Sequence, residues 1–520
     1  MDAAISCEDL ARLMASEQRF AVFDVRERGE YNQCQIPNTT SLPRSHIEFR
    51  IAELVPDRYV QLIVYDEGGA RASLAAATLV HLGYRDVAIL DDGLSAWQSQ
   101  GRPTFSGVNV PSKAFGERVH HERNVPDLTP EELKSLQDRS TDLVILDVRT
   151  PEEYGRFCIP GGINVPAGDL ILWAEELKQR ATTNVIVNCA GRTRSIIAAA
   201  TLRRLGLTNV RALRNGTMGW VLAGFELERK PQQESPPAPV SGPETAMALA
   251  RRIAEEESIS WISALELSRT LESRRIDYLI DVRSEREFAS AHLPGSINVP
   301  GGQAVQRADD FVAVRNGQIV FISNESARAV MAAYWYRQMG FSHVAVLQGG
   351  LRAWTESGAR IEKGSLRDEP IGFEAARRTV RIIEASTVEG KTRDPSVLLL
   401  DVGTSLDFET AHLPAAKWIS RGWLDLKLPE LYPDRNQPIV LTCPDGRQSI
   451  LAALALGELG YSDIAVLDGG VRAWSAAGFP TEQGVGACLV EPDDVVLSPS
   501  IRGTKEDMQR YLDWELQLKK

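Results

Sequence analysis

Val185-Ile186-Val187-Asn188-Cys189-Ala190-Gly191-Arg192-Thr193-Arg194-Ser195 carries an apolar run into a loop with a glycine and two arginines, and then into an alanine-rich stretch ending near Leu205. The run reads as a strand buried on both faces, and the stretch from Ser195 reads as a helix. The same frame occurs four times. An aspartate closes an apolar run at Asp24, Asp147, Asp281 and Asp401, and 42 residues later comes the loop position, held by Asp66, Cys189, Ser323 and Cys443. A further 31 residues on stand Trp97, Trp220, Trp354 and Trp474, read as core anchors of a closing helix. Four copies without net insertion make the chain a fourfold repeat. The cysteine survives in two, which separates the chemistry from the scaffold.

Around this loop the second copy reads as alternating strands and helices. Thr129 caps a helix with Pro130 in its first turn and Glu131 and Glu132 near its positive end. Leu143 to Asp147 is a buried strand, Glu152 to Tyr154 starts a helix, and Val210 to Leu213 is a last strand before Asn215 and Gly216. The pattern predicts an α/β fold in which each copy is a parallel sheet flanked by helices. The copies are placed at 1–107, 124–230, 257–362 and 376–480, with a Pro-rich linker over 231–256. That linker suggests two halves, each with a cysteine-free copy followed by a cysteine-bearing one. In the tail, 481–520, Met508, Tyr511, Leu512, Trp514 and Leu516 have helical spacing. The helix is expected either to dock on the protein or to bind a partner.

The totals of the 520-residue chain restrict function. Hydrophobic residues make up 43%, charged residues 25%, and the net charge is −12. This balance fits a globular protein and disfavours nucleic acid as a partner. No apolar run reaches the ~18 residues of a spanning helix, so no membrane partner is expected. The N-terminus lacks the layout of a signal peptide. Six cysteines without a CxxC argue against a disulfide framework or a zinc site, so a reduced, cytoplasmic protein without metal is expected. The sequence carries no signal for an oligomeric state.

A cysteine between a strand end and a helix start meets unpaired backbone N–H groups that favour an anion. An ordinary thiol is about 3% ionised at pH 7, and a pKa lowered to ~6.5 would make it roughly three-quarters ionised. Arg192 and Arg194 add positive potential and are expected, with Gly191 and Ser195, to bind an oxyanion. Such a thiolate suits attack on a sulfane sulfur and its storage as a persulfide. Cys443 is a second candidate, with Arg447 and Ser449 as its binding residues. There Gln448 stands where Arg194 would lie, Gly403 replaces the strand-end arginine, and Asp445 opposes ionisation. Asp66 and Ser323 cannot carry the chemistry; they mark scaffold copies, or copies that shape a cleft or bind an acceptor. Asp147 and Arg149 are expected to pair and fix the strand end. Cys158 reads as a small buried side chain or a resolving thiol, and His292 and His412 as turn residues.

Asp281-Val282-Arg283, Glu287-Phe288, His292-Leu293-Pro294-Gly295-Ser296 and Gly349-Gly350-Leu351-Arg352-Ala353-Trp354 together resemble the rhodanese pattern. The chain looks like four tandem rhodanese domains. The resemblance implies sulfurtransferase activity at Cys189, from thiosulfate or a persulfide donor to cyanide or a thiol acceptor, with no cofactor. A sulfur-relay or regulatory binding module is the alternative. Phosphatase or arsenate chemistry on the same fold is opposed by loop length, since Arg194 comes five residues after Cys189 and related phosphatases use six.

Overall fold

The computed structural model describes residues 3–230, 235–240, 242–272, 276–365 and 369–518. Each copy is a five-stranded sheet with the strands, counted along the copy, in the order first, fifth, fourth, second, third. In the second copy these are Asp127–Leu128, Val210–Leu213, Asn184–Asn188, Leu143–Asp147 and Ile163–Asn164. Every pairing is parallel, with Leu146 opposite Val187 and Asp147 opposite Asn188. The strand leading to Cys189 is therefore the middle one. Val185, Ile186 and Val187 are buried, which accounts for its unbroken apolar run. Its carboxyl end is the edge at which open parallel sheets present ligand sites.

Repeated contacts lock each copy. The indole N–H of Trp220 donates to the Glu226 carbonyl at 2.9 Å, and Trp97, Trp354 and Trp474 donate to the carbonyl six residues on in the same way. All four rings are buried, so each polar edge needs that acceptor. At the strand end, Arg149 donates to Asp147 through Nε at 2.9 Å and Nη2 at 2.6 Å, with both side chains buried. Asn188 Nδ2 donates to Asp147 at 3.0 Å. Asp24 with Arg26 and Asp281 with Arg283 repeat the pair.

The compact units are not the sequential halves. One comprises Met1–Gly107 with Arg367–Val496, and the other Val108–Leu366 with Leu497–Lys520. The first thus joins copies one and four, the second copies two and three. Each unit still combines one cysteine-bearing copy with one that lacks it.

The linker expected over 231–256 also needs correction. Residues 231–234 and 241 lie outside the described residues, but Gly242–Glu256 is a helix of 15 residues with Ala246, Ala250, Ile253 and Ala254 buried. Those positions make a stripe at helical period, and the helix packs on Leu170–Gln179 and Ala327–Gln338. Among the described residues no helix is long and apolar enough to cross a membrane.

Candidate active site

Cys189 lies directly after the middle strand, 2% exposed, and the helix Thr193–Arg204 begins four residues later. The loop is held from behind. The Cys189 carbonyl accepts the N–H of Thr217 at 2.8 Å, at the start of the helix Gly216–Leu222. Gly216 has φ +54°, and a Cβ there would stand 2.2 Å from the Cys189 carbonyl oxygen. Only glycine allows that approach. In front, the Cys189 thiol faces the Ser195 hydroxyl at 3.5 Å, and Ser195 donates to the Arg192 carbonyl at 2.9 Å.

The expected low thiol pKa is not what this arrangement produces. Burial pushes the Cys189 thiol above its ordinary value, while Arg194, the Ser195 hydroxyl and the N–H groups of Ser195 and Gly191 pull the other way. The anion-stabilising parts are present, but in this conformation loss of solvent outweighs them.

The arginines differ from expectation as well. Both are tied to carboxylates rather than presented free to an oxyanion. Arg194 donates to Glu153 through Nη1 at 2.6 Å and Nη2 at 2.7 Å. Arg192 donates to Glu117 through Nε at 2.5 Å and Nη2 at 2.9 Å, and to Asn215 at 3.2 Å. Glu117 belongs to the helix Val110–Glu122, in the segment before copy two, and nothing in the repeat frame marked it. Glu153 did carry a signal: Glu30 with Arg71 and Glu287 with Arg328 are further pairs 41 residues apart. Arg194 and Arg328 also line a cleft between copies two and three, walled by Ile197, Met331 and Trp335.

The cysteine-free loops reveal what the cradle does. Asp66 Oδ1 accepts the N–H groups of Gly68 at 2.7 Å and Gly69 at 2.9 Å, and Oδ2 accepts that of Ala72 at 3.0 Å. Three backbone donors thus converge on a carboxylate in the loop of copy one. In copy three, Ser323 Oγ receives the Ala329 N–H at 3.3 Å.

Cys443 is buried too. Its sulfur accepts the Gly446 N–H at 3.2 Å and lies 3.5 Å from the Ser449 hydroxyl and 3.9 Å from the Asp445 carboxylate. Arg447 is bound to Asp445 at 2.7 Å. Gln448 accepts from Arg421 Nε at 2.6 Å in place of the glutamate–arginine pair. Burial raises the Cys443 thiol pKa and the nearby Asp401 raises it further, against the pull of Ser449.

The other candidates sit apart from the loops. The Cys158 thiol faces Glu228 at 3.8 Å, and burial pushes it up to about 11. His292 and His412 bond the carbonyls of Phe288 and Phe408 and stack on those rings.

The rhodanese-like domain profile matches residues 6–100, 129–223, 263–357 and 384–477. The chain belongs to the rhodanese family. Its four copies, each with a parallel sheet flanked by helices, are four tandem rhodanese domains. The crystal structure of thiosulfate sulfurtransferase from Pseudomonas aeruginosa matches it with a TM-score of 0.90 and 37% identity, over 99% of this chain and 97% of that one. A sulfurtransferase of Allochromatium vinosum is 34% identical over 99 residues, which is 19% of this chain and 91% of that protein. A putative thiosulfate sulfurtransferase of Synechococcus elongatus is 22% identical over 283 residues, 44% of this chain and 87% of the relative.

Proposed function

We propose that this rhodanese is a sulfurtransferase that carries sulfane sulfur on Cys189. The Cys189 thiolate attacks the outer sulfur of thiosulfate; a sulfur–sulfur bond forms to Cys189, the bond to the sulfonate breaks, and sulfite leaves with its electron pair. Cyanide or an acceptor thiolate then attacks the outer sulfur of the persulfide and releases Cys189 as thiolate. Charge and atoms balance in both halves of this ping-pong cycle. A persulfide donor enters the same scheme with a thiolate as leaving group.

The observation that carries this reading is the carboxylate of Asp66 in its loop. A carboxylate oxygen lies two bonds beyond Cβ, as the outer sulfur of a cysteine persulfide does. The donors that meet Asp66 come from Gly68, Gly69 and Ala72. Their counterparts by position around Cys189 are Gly191, Arg192 and Ser195. A cradle of this shape favours the persulfide anion once Cys189 bears the extra atom. Arg194 supports the negative charge from behind, held in place by Glu153. Cys443 is assigned a slower version of the chemistry, since Asp401 opposes its ionisation.

Intact-mass measurement after thiosulfate treatment tests the assignment on the wild type, Cys189→Ser and Cys443→Ser. One added sulfur atom is expected on the wild type, lost in Cys189→Ser and kept in Cys443→Ser. Retention of the full gain in Cys189→Ser would overturn the role of Cys189.

A further inference from the structure

The helix Lys505–Gln517 covers the Cys189 loop within the same compact unit. Its buried residues are Leu512 and Glu515. Gly191, on the rim of the cradle, is where they meet. A Cβ added to Gly191 would lie 3.0 Å from Met218 Cε, 3.3 Å from Glu515 Oε2 and 3.9 Å from Leu512 Cδ2. Thr193 Oγ1 reaches Glu515 Oε1 at 3.4 Å, and the Tyr511 hydroxyl reaches the same oxygen at 3.5 Å. The helix is also seated by the buried Lys113, whose ammonium stands 4.7 Å from the Tyr511 ring and 4.8 Å from that of Trp514.

This covering conflicts with turnover. Thiosulfate is a dianion, and at Gly191 it would meet a buried carboxylate whose Oε2 has no hydrogen-bond partner among the described residues. Cys189 itself has almost no contact with solvent. The contact face of the helix also buries a carboxylate, which costs free energy that an apolar side chain would not. The chain reaches it through Leu497–Gly503, which contains no helix or strand.

We propose that Lys505–Gln517 is a gate on Cys189: docked, its Leu512–Glu515 face seals the thiol and excludes anions, and donor and acceptor enter when it lifts. Lifting uncovers Gly191 and Thr193 on the rim of the loop and so opens the path by which anions reach the thiol. The part this plays in turnover rests on the sulfurtransferase reading; the occlusion of the thiol does not.

Alkylation by iodoacetamide, followed at each cysteine by peptide mass spectrometry, separates the two. In a chain ending at Gly503, alkylation of Cys189 at pH 7 is expected to rise at least tenfold while that of Cys443 stays constant. Leu512→Asp, which puts a charge in the buried face of the full-length chain, is expected to act in the same direction. Thermal unfolding identifies the variant that keeps the wild-type transition, and the comparison is made on it. An unchanged Cys189 rate in such a variant overturns the gate. A faster Cys189 that never gains sulfur from thiosulfate in any variant leaves the gate standing and sinks the sulfurtransferase reading instead.

Discussion

Glu153 holds Arg194 by two parallel hydrogen bonds, 2.6 and 2.7 Å long, and so fixes an arginine whose charge offsets the burial of Cys189. The pair holds the Glu153 carboxyl down at about 2. Because the folded value lies below the ordinary carboxylate range, this stabilisation is in place above pH ~4.5 and disappears as the pH falls through about 2. Glu153→Gln is expected to cost about 2–3 kcal/mol at pH 7, less than a fully buried pair because the glutamate is 29% exposed. Urea unfolding at several pH values checks the sign. The gap between wild type and variant should close between pH 5 and pH 2, and a gap that stays constant would refute the linkage.

Asp66 gives a direct test of the cradle. Asp66→Ala leaves the N–H groups of Gly68, Gly69 and Ala72 without their acceptor, at an expected cost of about 1–3 kcal/mol. Asp66→Cys puts a thiol into a loop that keeps Arg71 bound to Glu30. Intact mass after thiosulfate is expected to show one more sulfur atom than the wild type. No additional sulfur on a folded Asp66→Cys protein would mean that the loop donors alone do not make a persulfide site.

Much of this architecture was legible because each copy writes its own fold. Leu143 to Leu146 and Val185 to Val187 are apolar without a break, as strands covered on both faces must be, and Asn215 with Gly216 marks the turn behind the loop. What escaped the sequence depends on surfaces meeting. The apolar pattern of a copy specifies its core but not its neighbour, so the joining of copy one with copy four could not be read. Glu117 lies outside the repeat frame, so its hold on Arg192 had no precedent in the other copies. The stripe Ala246, Ala250, Ile253 was written in the sequence, but the prolines before it drew the reading toward a linker. The ionisation of Cys189 failed for a different reason. Loop motif and helix start favour the anion, and the burial of the loop position, which Cys443 shares in its own copy, reverses the balance.

Asp401 is the strand-end aspartate whose arginine is replaced by Gly403, and burial pushes it up to about 7. A raised carboxyl pKa means that the folded protein retains a proton the unfolded chain has released. Relative stability is therefore highest below pH ~4 and is lost as the pH rises through about 7. Asp401→Asn keeps an acceptor for the Gly403 N–H, which now reaches Asp401 Oδ1 at 2.8 Å. It is expected to gain a few kcal/mol over wild type at pH 8 and almost nothing at pH 4. It also removes a group that raises the Cys443 pKa, so alkylation of Cys443 at pH 8 should accelerate several-fold. Equal thermal midpoints for the two proteins at pH 8 would contradict the assignment.

Gly216 links the repeat's architecture to its chemistry. Its φ of +54° disfavours any side chain, and a Cβ would come within 2.2 Å of the backbone oxygen of Cys189. Gly224, with φ +86° and nothing within 4 Å of its would-be Cβ, isolates the conformational cost alone. Gly224→Ala is expected to lose about 1 kcal/mol with Cys189 still loaded with sulfur. Gly216→Ala must also push the loop carbonyl aside, and it is expected to lose more than ~2 kcal/mol. A 1 Å shift of the loop would move the sulfur out of its ring of N–H donors, so persulfide formation at Cys189 should fall at least tenfold. Cys443, carried by a different copy, is the internal control, and its alkylation by iodoacetamide should keep the wild-type rate. If the two alanine variants behaved alike, the close approach of Gly216 to Cys189 would have no part in holding the reactive loop.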